Sequence, residues 1–169
     1  MRAYVTPELI NQALLIVEPA IIKMLNGPAK RKDLNLICLR PDAMWDVMTD
    51  FEEQYDREEF DDQFVARSFD YGDRKRWEWD YRKYARAKAW LTLRTRKPSG
   101  WCQEHPAILL PGDVKYRGSW ITESGIITSA SGPESHWDEW TARLVGETIE
   151  TLAYHQHQAI MADEGRDYV

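Results

Sequence analysis

Residues 73–101, DRKRWEWDYRKYARAKAWLTLRTRKPSGW, decide how the rest of this sequence is read. Taken as one long helix and its exit, with each residue about 100° from the last, they put Trp77, Tyr81, Tyr84, Lys88, Leu91 and Thr95 on one stripe, flanked by Ala85 and Thr92. That stripe is expected to face the core. Trp79, Arg86, Trp90 and Leu93 form a second stripe on roughly the opposite side, so the helix is expected to be covered twice, by its own sheet and by another subunit. Lys88 falls in the middle of the first stripe. An enclosed ammonium must meet a carboxylate or an anionic ligand, or lose its proton, because an unpaired buried charge costs several kcal/mol. The other reading runs its stem past Tyr84 and Leu91 to water or to a structural carboxylate.

Upstream, Thr6-Pro7-Glu8 has the chemistry of a helix start: a hydroxyl for the free amides, a proline for the first turn, an acid for the positive helix end. Leu9, Ile10, Ala13, Leu14, Val17 and Ile21 recur at helical spacing. Pro19 is expected to kink or divide this helix, and Asn26-Gly27-Pro28 to stop it. LNLICL (34–39) reads as the first strand and QFVARSF (63–69) as the second, closing on Asp70-Tyr71-Gly72. Between them, residues 41–62 read as an insertion: a short helix around Trp45 and Met48 with an acidic tail, whose carboxylates lack cation-loop spacing and suit a solvated face.

Downstream, WCQEHPAILLPGD (101–113) reads as a loop with one short helical turn. Residues 114–122 and 125–131 form a hairpin about Glu123-Ser124-Gly125. A last helix carries Trp137, Thr141, Leu144, Val145, Thr148 and Leu152 on one stripe, and its end, MADEGRDYV, is expected to fray. Four strands with helices at both ends and in the middle predict an α+β fold, a single antiparallel sheet flanked by helices, as one domain over residues 1–169.

Composition narrows the functions. The 169 residues carry a net charge of −6, which argues against a chain built to grip nucleic acid or an anionic membrane. The basic and aromatic run RKRWEWDYRK would suit single strands, but Glu78 and Asp80 interrupt it. No apolar stretch is long enough to span a bilayer, and the start MRAYVTPELI lacks signal-peptide features, so a cytoplasmic protein is expected. Two cysteines, Cys38 and Cys102, with no paired spacing fit reduced thiols. Eight tryptophans and eight tyrosines suit an interface, a ligand pocket or an aromatic core. Phosphate loops, dinucleotide loops, nucleophile elbows and zinc-protease motifs are absent. No metal site is expected: His155 and His157 lie about 200° apart on a helix and cannot share an ion there.

YARAKAWLTLRTRKPSG (84–100) resembles the signature helix of the GlcG/HbpS family of small haem-associated domains, which includes the C-terminal domain of PduO-type proteins. Ala85, Lys88, Ala89, Arg96, Pro98 and Ser99 lie on its pattern, with one extra residue before the proline. RGSWITESGIITSASGPESHWDEW (117–140) is similar to that family's glycine-rich strand, hairpin and serine-glycine turn into an acidic helix start, and QFVARSFDYG (63–72) to its strand ending in an aspartate-glycine turn. The resemblance implies a profilin-like sheet and a pocket for haem, another tetrapyrrole or another small molecule between the central helix and the second hairpin. In that pocket Lys88 would hold an acidic group with help from Arg94 or Arg96, and His136 or His105 would serve as axial or acid–base group. Tyr84, Trp120, Ser131 and Gly132 complete the expected contacts. The insertion at 41–62 departs from the family. Two other readings stand beside this one: a cofactor-independent enzyme acting on a small acidic or aromatic metabolite with Lys88 and His136 as acid–base groups, and a homo-oligomeric scaffold without catalysis.

Overall fold

The structure, a computed structural model, describes residues 5–40 and 64–163. The expected insertion at 41–62 lies outside the described residues, as does the end of the chain beyond Asp163. Helix α1 (Pro7–Asn26) starts where its residue chemistry places it: the Leu9 N–H donates to Thr6 Oγ1 at 3.2 Å, and Pro7 opens the first turn. Its buried side is the predicted set, Leu9, Ile10, Ala13, Leu14, Val17 and Ile21, extended by Met24 and Leu25. Pro19 does not divide it. The proline is exposed, and Leu15, whose carbonyl loses its helical donor there, is 71% exposed and within reach of water.

Strand β1 (Leu34–Leu39) is buried along its whole length. It pairs antiparallel with β2 (Val65–Tyr71) on one side and with β4 (Ile127–Ser131) on the other, and β3 (Ser119–Ile121) pairs antiparallel with β4 at the far edge. The result is an α+β fold with one four-stranded antiparallel sheet in the order β2-β1-β4-β3. The continuous apolar run of β1 follows from having helices on both faces. Leu34, Leu36 and Cys38 pack with α1 and the last helix, α4 (Ser135–Asp163), whereas Ile37 and Leu39 pack with α2 (Tyr81–Thr95). Cys38 and Cys102 are free, buried thiols, and burial pushes Cys38 up to about 12, far from reactivity at neutral pH.

The central helix is shorter than residues 73–101 suggested. Two aspartates interrupt the stretch by taking backbone amides for themselves. Asp73 Oδ1 accepts from the Lys75 N–H at 3.0 Å and caps a short 3-10 turn, Arg74–Arg76, while Asp80 Oδ1 accepts from the Lys83 N–H at 3.1 Å and starts α2 at Tyr81. Trp77 still meets its predicted stripe partner, its ring 5.1 Å from that of Tyr81, but Trp79 is 54% exposed and lies outside the helix. Of the second stripe, Leu93 is buried in the chain's own core and the half-buried Trp90 packs beside it. Arg96, at φ 60°, ends the helix in the left-handed region, and α3 (Ser99–Glu104) follows. The hairpin forms as expected, though its first strand begins at Ser119 rather than at residue 114. The chain before it bends through Gly118 at φ +142°, and the Val114 carbonyl accepts from Gln103 Nε2. Among the described residues no helix is long and apolar enough to cross a membrane, and no group of three or more His, Cys, Asp or Glu side chains could hold a metal ion.

Candidate functional site

Lys88 sits at the middle of α2 on the face toward the sheet and is 1% exposed. Its Nζ donates to the Ala130 carbonyl at 2.9 Å and to Asp138 Oδ2 at 2.7 Å. Asp138 comes from the first turn of α4, on the opposite face of the sheet, so the ion pair ties the two helical layers together around the start of β3. Gly118 makes the crossing possible: a Cβ there would lie 2.7 Å from Lys88 Nζ and 2.8 Å from Asp138 Cβ. Gly132 serves the same corner, because a Cβ on it would lie 2.1 Å from the Asp33 carbonyl oxygen at the entrance to β1.

Burial governs the electrostatics of the pair. It lowers the Lys88 pKa against the pull of the Asp138 carboxylate, and it raises that of Asp138 to about 6 against the pull of the Lys88 ammonium. Burial disfavours the charged form of each group, and the attraction between the two opposes it in both. Asp138 Oδ1 closes no hydrogen bond of good geometry, although the Gly132 amide acts on the carboxyl and lowers its pKa somewhat.

Beside the pair lies a cavity of about 320 Å³, lined by the start of α2, the approach to β3 and the turn from β4 into α4. Trp79, Tyr81, Tyr84 and Tyr116 give it aromatic walls, with the Tyr84 and Tyr116 rings edge to face at 6.0 Å. Ser131, Gly132, Pro133 and Ser135 line it from the turn, and Arg31 and Lys88 bring positive charge against Glu134 and Asp138. Burial also raises the Tyr81 hydroxyl pKa. The volume is at the lower end of the range for small-molecule sites.

Of the residues singled out in the sequence, Tyr84, Lys88, Ser131 and Gly132 come together on this cavity. The others do not line it. Arg94 is held by Asp113 Oδ2 at 2.5 Å and reaches the Ile108 carbonyl, so it fastens the loop after α3. Arg96 is the αL residue that closes α2. His105 stacks on Trp101 at 3.7 Å, and its Nδ1 lies 2.9 Å from the Trp101 carbonyl oxygen. Trp120 donates from Nε1 to Glu147 Oε1 at 2.9 Å, with Arg143 over its ring. His136 follows the lining residue Ser135 but is exposed, its ring 5.2 Å from that of Trp137.

Sequence reasoning missed Asp138, Tyr81 as a wall of the site, Tyr116 and Arg31. Asp138 did leave a signal. Together with Thr141, Ala142, Val145, Ile149 and Ala153 it makes a helical stripe of small or β-branched residues, and these are the residues α4 buries. The bulkier stripe through Trp137, Leu144 and Leu152 is only partly buried. α4 lies too close to the sheet for large side chains: Thr128 Oγ1 donates to the Ala142 carbonyl at 2.6 Å, and a Cβ on Gly146 would lie 3.0 Å from that hydroxyl.

No protein-family model matches this chain, and no significant match is found among curated proteins or among solved structures.

Proposed function

We propose that this chain binds a small aromatic organic acid in the cavity between α2 and the start of α4. The observation that carries this reading is a buried lysine ammonium on the wall of a 320 Å³ cavity whose other walls are aromatic. Arg31 adds a guanidinium at the same cavity, and the turn into α4 brings the positive end of a 29-residue helix. Flat rings suit the Tyr84 and Tyr116 walls, and a carboxylate suits the cations. The resemblance of residues 84–100 to the GlcG/HbpS family supports a ligand-binding role for the same helix.

No histidine is among the lining residues, and the Lys88 amine is already engaged by Asp138 and Ala130, so a small organic acid without iron suits this lining better than haem. Native mass spectrometry of the protein as purified from cells tests this directly, reporting any retained small molecule and the subunit number together. Titration with benzoate, 4-hydroxybenzoate and acetate, followed by tryptophan fluorescence and calorimetry, tests the chemistry. The aromatic acids are expected to bind and acetate to bind far more weakly. Arg31→Ala and Tyr84→Ala are each expected to weaken the aromatic acids about tenfold or more, the scale of one charge-assisted hydrogen bond or one ring contact. Arg31 is exposed and its contact with Glu78 is a surface one, so its replacement leaves stability nearly unchanged. Binding of all three acids with equal affinity, or of none, overturns the reading.

A further inference from the structure

Lys88 is already answered by a carboxylate before any ligand arrives. Its Nζ has three donors; one goes to Ala130, one to Asp138, and the side chain lines the cavity that would receive a third acceptor. A ligand carboxylate meeting that donor would bring a second negative charge to the same nitrogen, within a few ångströms of Asp138 and with both protein groups buried. Two carboxylates so close to one buried ammonium do not both stay ionised.

We infer that a ligand carboxylate enters this site together with one proton, which Asp138 takes up, so that Lys88 exchanges one anionic partner for another. This rests on the organic-acid reading above and specifies how the site balances charge. The neighbours of Asp138 leave it as the group that yields. Lys88 and Tyr81 from α2, Arg31 from the segment before β1 and the Gly132 amide act on it, and Tyr84, Tyr116 and Glu134 line the same cavity. Glu134 already accepts from the Lys30 N–H and its pKa is lowered, and Tyr81, its pKa raised by burial, already carries its proton. Asp138, raised by burial, accepts a proton near neutrality. In consequence the site takes up a weak acid as its neutral equivalent, and its occupancy rises as the solution becomes more acidic, down to the point at which Asp138 is protonated without ligand.

Calorimetric titration of the wild-type protein with benzoate at pH 7, in PIPES and in imidazole buffer, measures the proton count from the difference in apparent binding heat. About one proton is expected to be taken up per benzoate bound. Affinity is expected to rise about tenfold per unit as pH falls from 8 toward 6.5 and to level off below about 6. Asp138→Asn, of the same shape and unable to titrate, is expected to bind benzoate with no proton uptake and with a flat pH profile. The carboxyl 13C resonance of Asp138 gives the same answer without a variant, moving to its protonated position at pH 7 when benzoate is added. Benzoate binding with no proton uptake, a flat wild-type profile and an unmoved resonance overturns this inference while leaving the binding site standing. Failure of benzoate and 4-hydroxybenzoate to bind wild type at all overturns the site itself, and this inference with it.

Discussion

Between α1, α4 and the sheet, the buried side chains are mostly hydrocarbon: Leu9, Ile10, Ile21, Leu34, Leu36, Val145 and Ile149 interlock there. Between α2 and the same sheet, a smaller apolar cluster of Ile37, Leu39, Ala85, Ala89, Leu93 and Ile127 is joined by a set of buried polar contacts. Ser129 Oγ donates to the Ala85 carbonyl at 2.7 Å, Thr92 and Ser119 share a hydrogen bond of 2.6 Å, Ser119 donates to the Lys88 carbonyl at 2.8 Å, and Lys88 meets Asp138. One layer is held by area removed from water, which is strong and indifferent to small rotations. The other adds to its apolar contacts directional bonds that fix α2 in register and angle. The cavity opens on the second layer, where position is specified most closely.

Replacing Lys88 by Met is the severest way to break this contrast. It strands the Asp138 carboxylate in a buried place, and the expected loss of unfolding free energy in urea is about 3–5 kcal/mol at pH 8. Lys88→Met with Asp138→Leu removes both charges and is expected to recover most of that loss. A single variant as stable as wild type would mean that the pair contributes no strain when broken, and the polar layer would lose its distinction. Ile149→Ala in the apolar layer is expected to cost about 2–5 kcal/mol through the cavity it leaves. The two variants separate by pH. The Lys88→Met cost should shrink as pH falls from 8 toward about 6, because Asp138, freed of the ammonium that holds its pKa down, takes a proton above its wild-type value and no charge is stranded, while the Ile149→Ala cost stays level.

The wild type itself should show the same proton. The folded-state pKa of Asp138 is raised to about 6, above the ordinary carboxylate value near which it titrates unfolded. Its contribution to stability is therefore complete below about pH 4 and is lost as pH rises through about 6. Lys88 is shifted downward, so its contribution lies at the alkaline end and is lost as pH falls through its folded value. Urea denaturation from pH 4 to 7 is expected to show wild type gaining on Asp138→Asn as the solution is acidified. A constant difference between the two would place the Asp138 titration outside this window.

The apolar layer was legible from the sequence because burying hydrocarbon leaves a periodic trace. The buried face of α1 and the full span of β1 follow from spacing alone. The position of Lys88 was legible for the same reason, since an angle on a helix needs no knowledge of partners. What spacing could not supply was the partner. Asp138 lies 50 residues along the chain, on the other face of the sheet, and only the side-chain gap at Gly118 lets the two meet. The start of α2 was misplaced because helix periodicity ignores the competition of Asp73 and Asp80 for backbone amides. Arg94 and His105 were drawn toward a pocket by their nearness in sequence, yet Arg94 reaches from the last turn of α2 to Asp113, and the chain turns at Arg96 and carries His105 to the end of α3.

The finest test concerns what the directional bonds do for the cavity. Ser129→Ala removes the hydroxyl that holds the Ala85 carbonyl, but that carbonyl keeps its own helical partner four residues on, so no polar group is stranded. The stability cost is then only the net worth of a hydrogen bond, about 0.5–1.5 kcal/mol. Thr6→Ala removes the cap of α1 at a similar cost, about 1 kcal/mol, from a helix that gives the cavity no side chain. Equal in stability, the two variants should differ in ligand affinity, since Tyr81, Tyr84 and Lys88 all ride on the helix that Ser129 secures. Benzoate is expected to bind Ser129→Ala several-fold more weakly and Thr6→Ala as tightly as wild type. Equal losses in both would show that affinity follows global stability, and that the α2 hydroxyl contacts are interchangeable with any other packing.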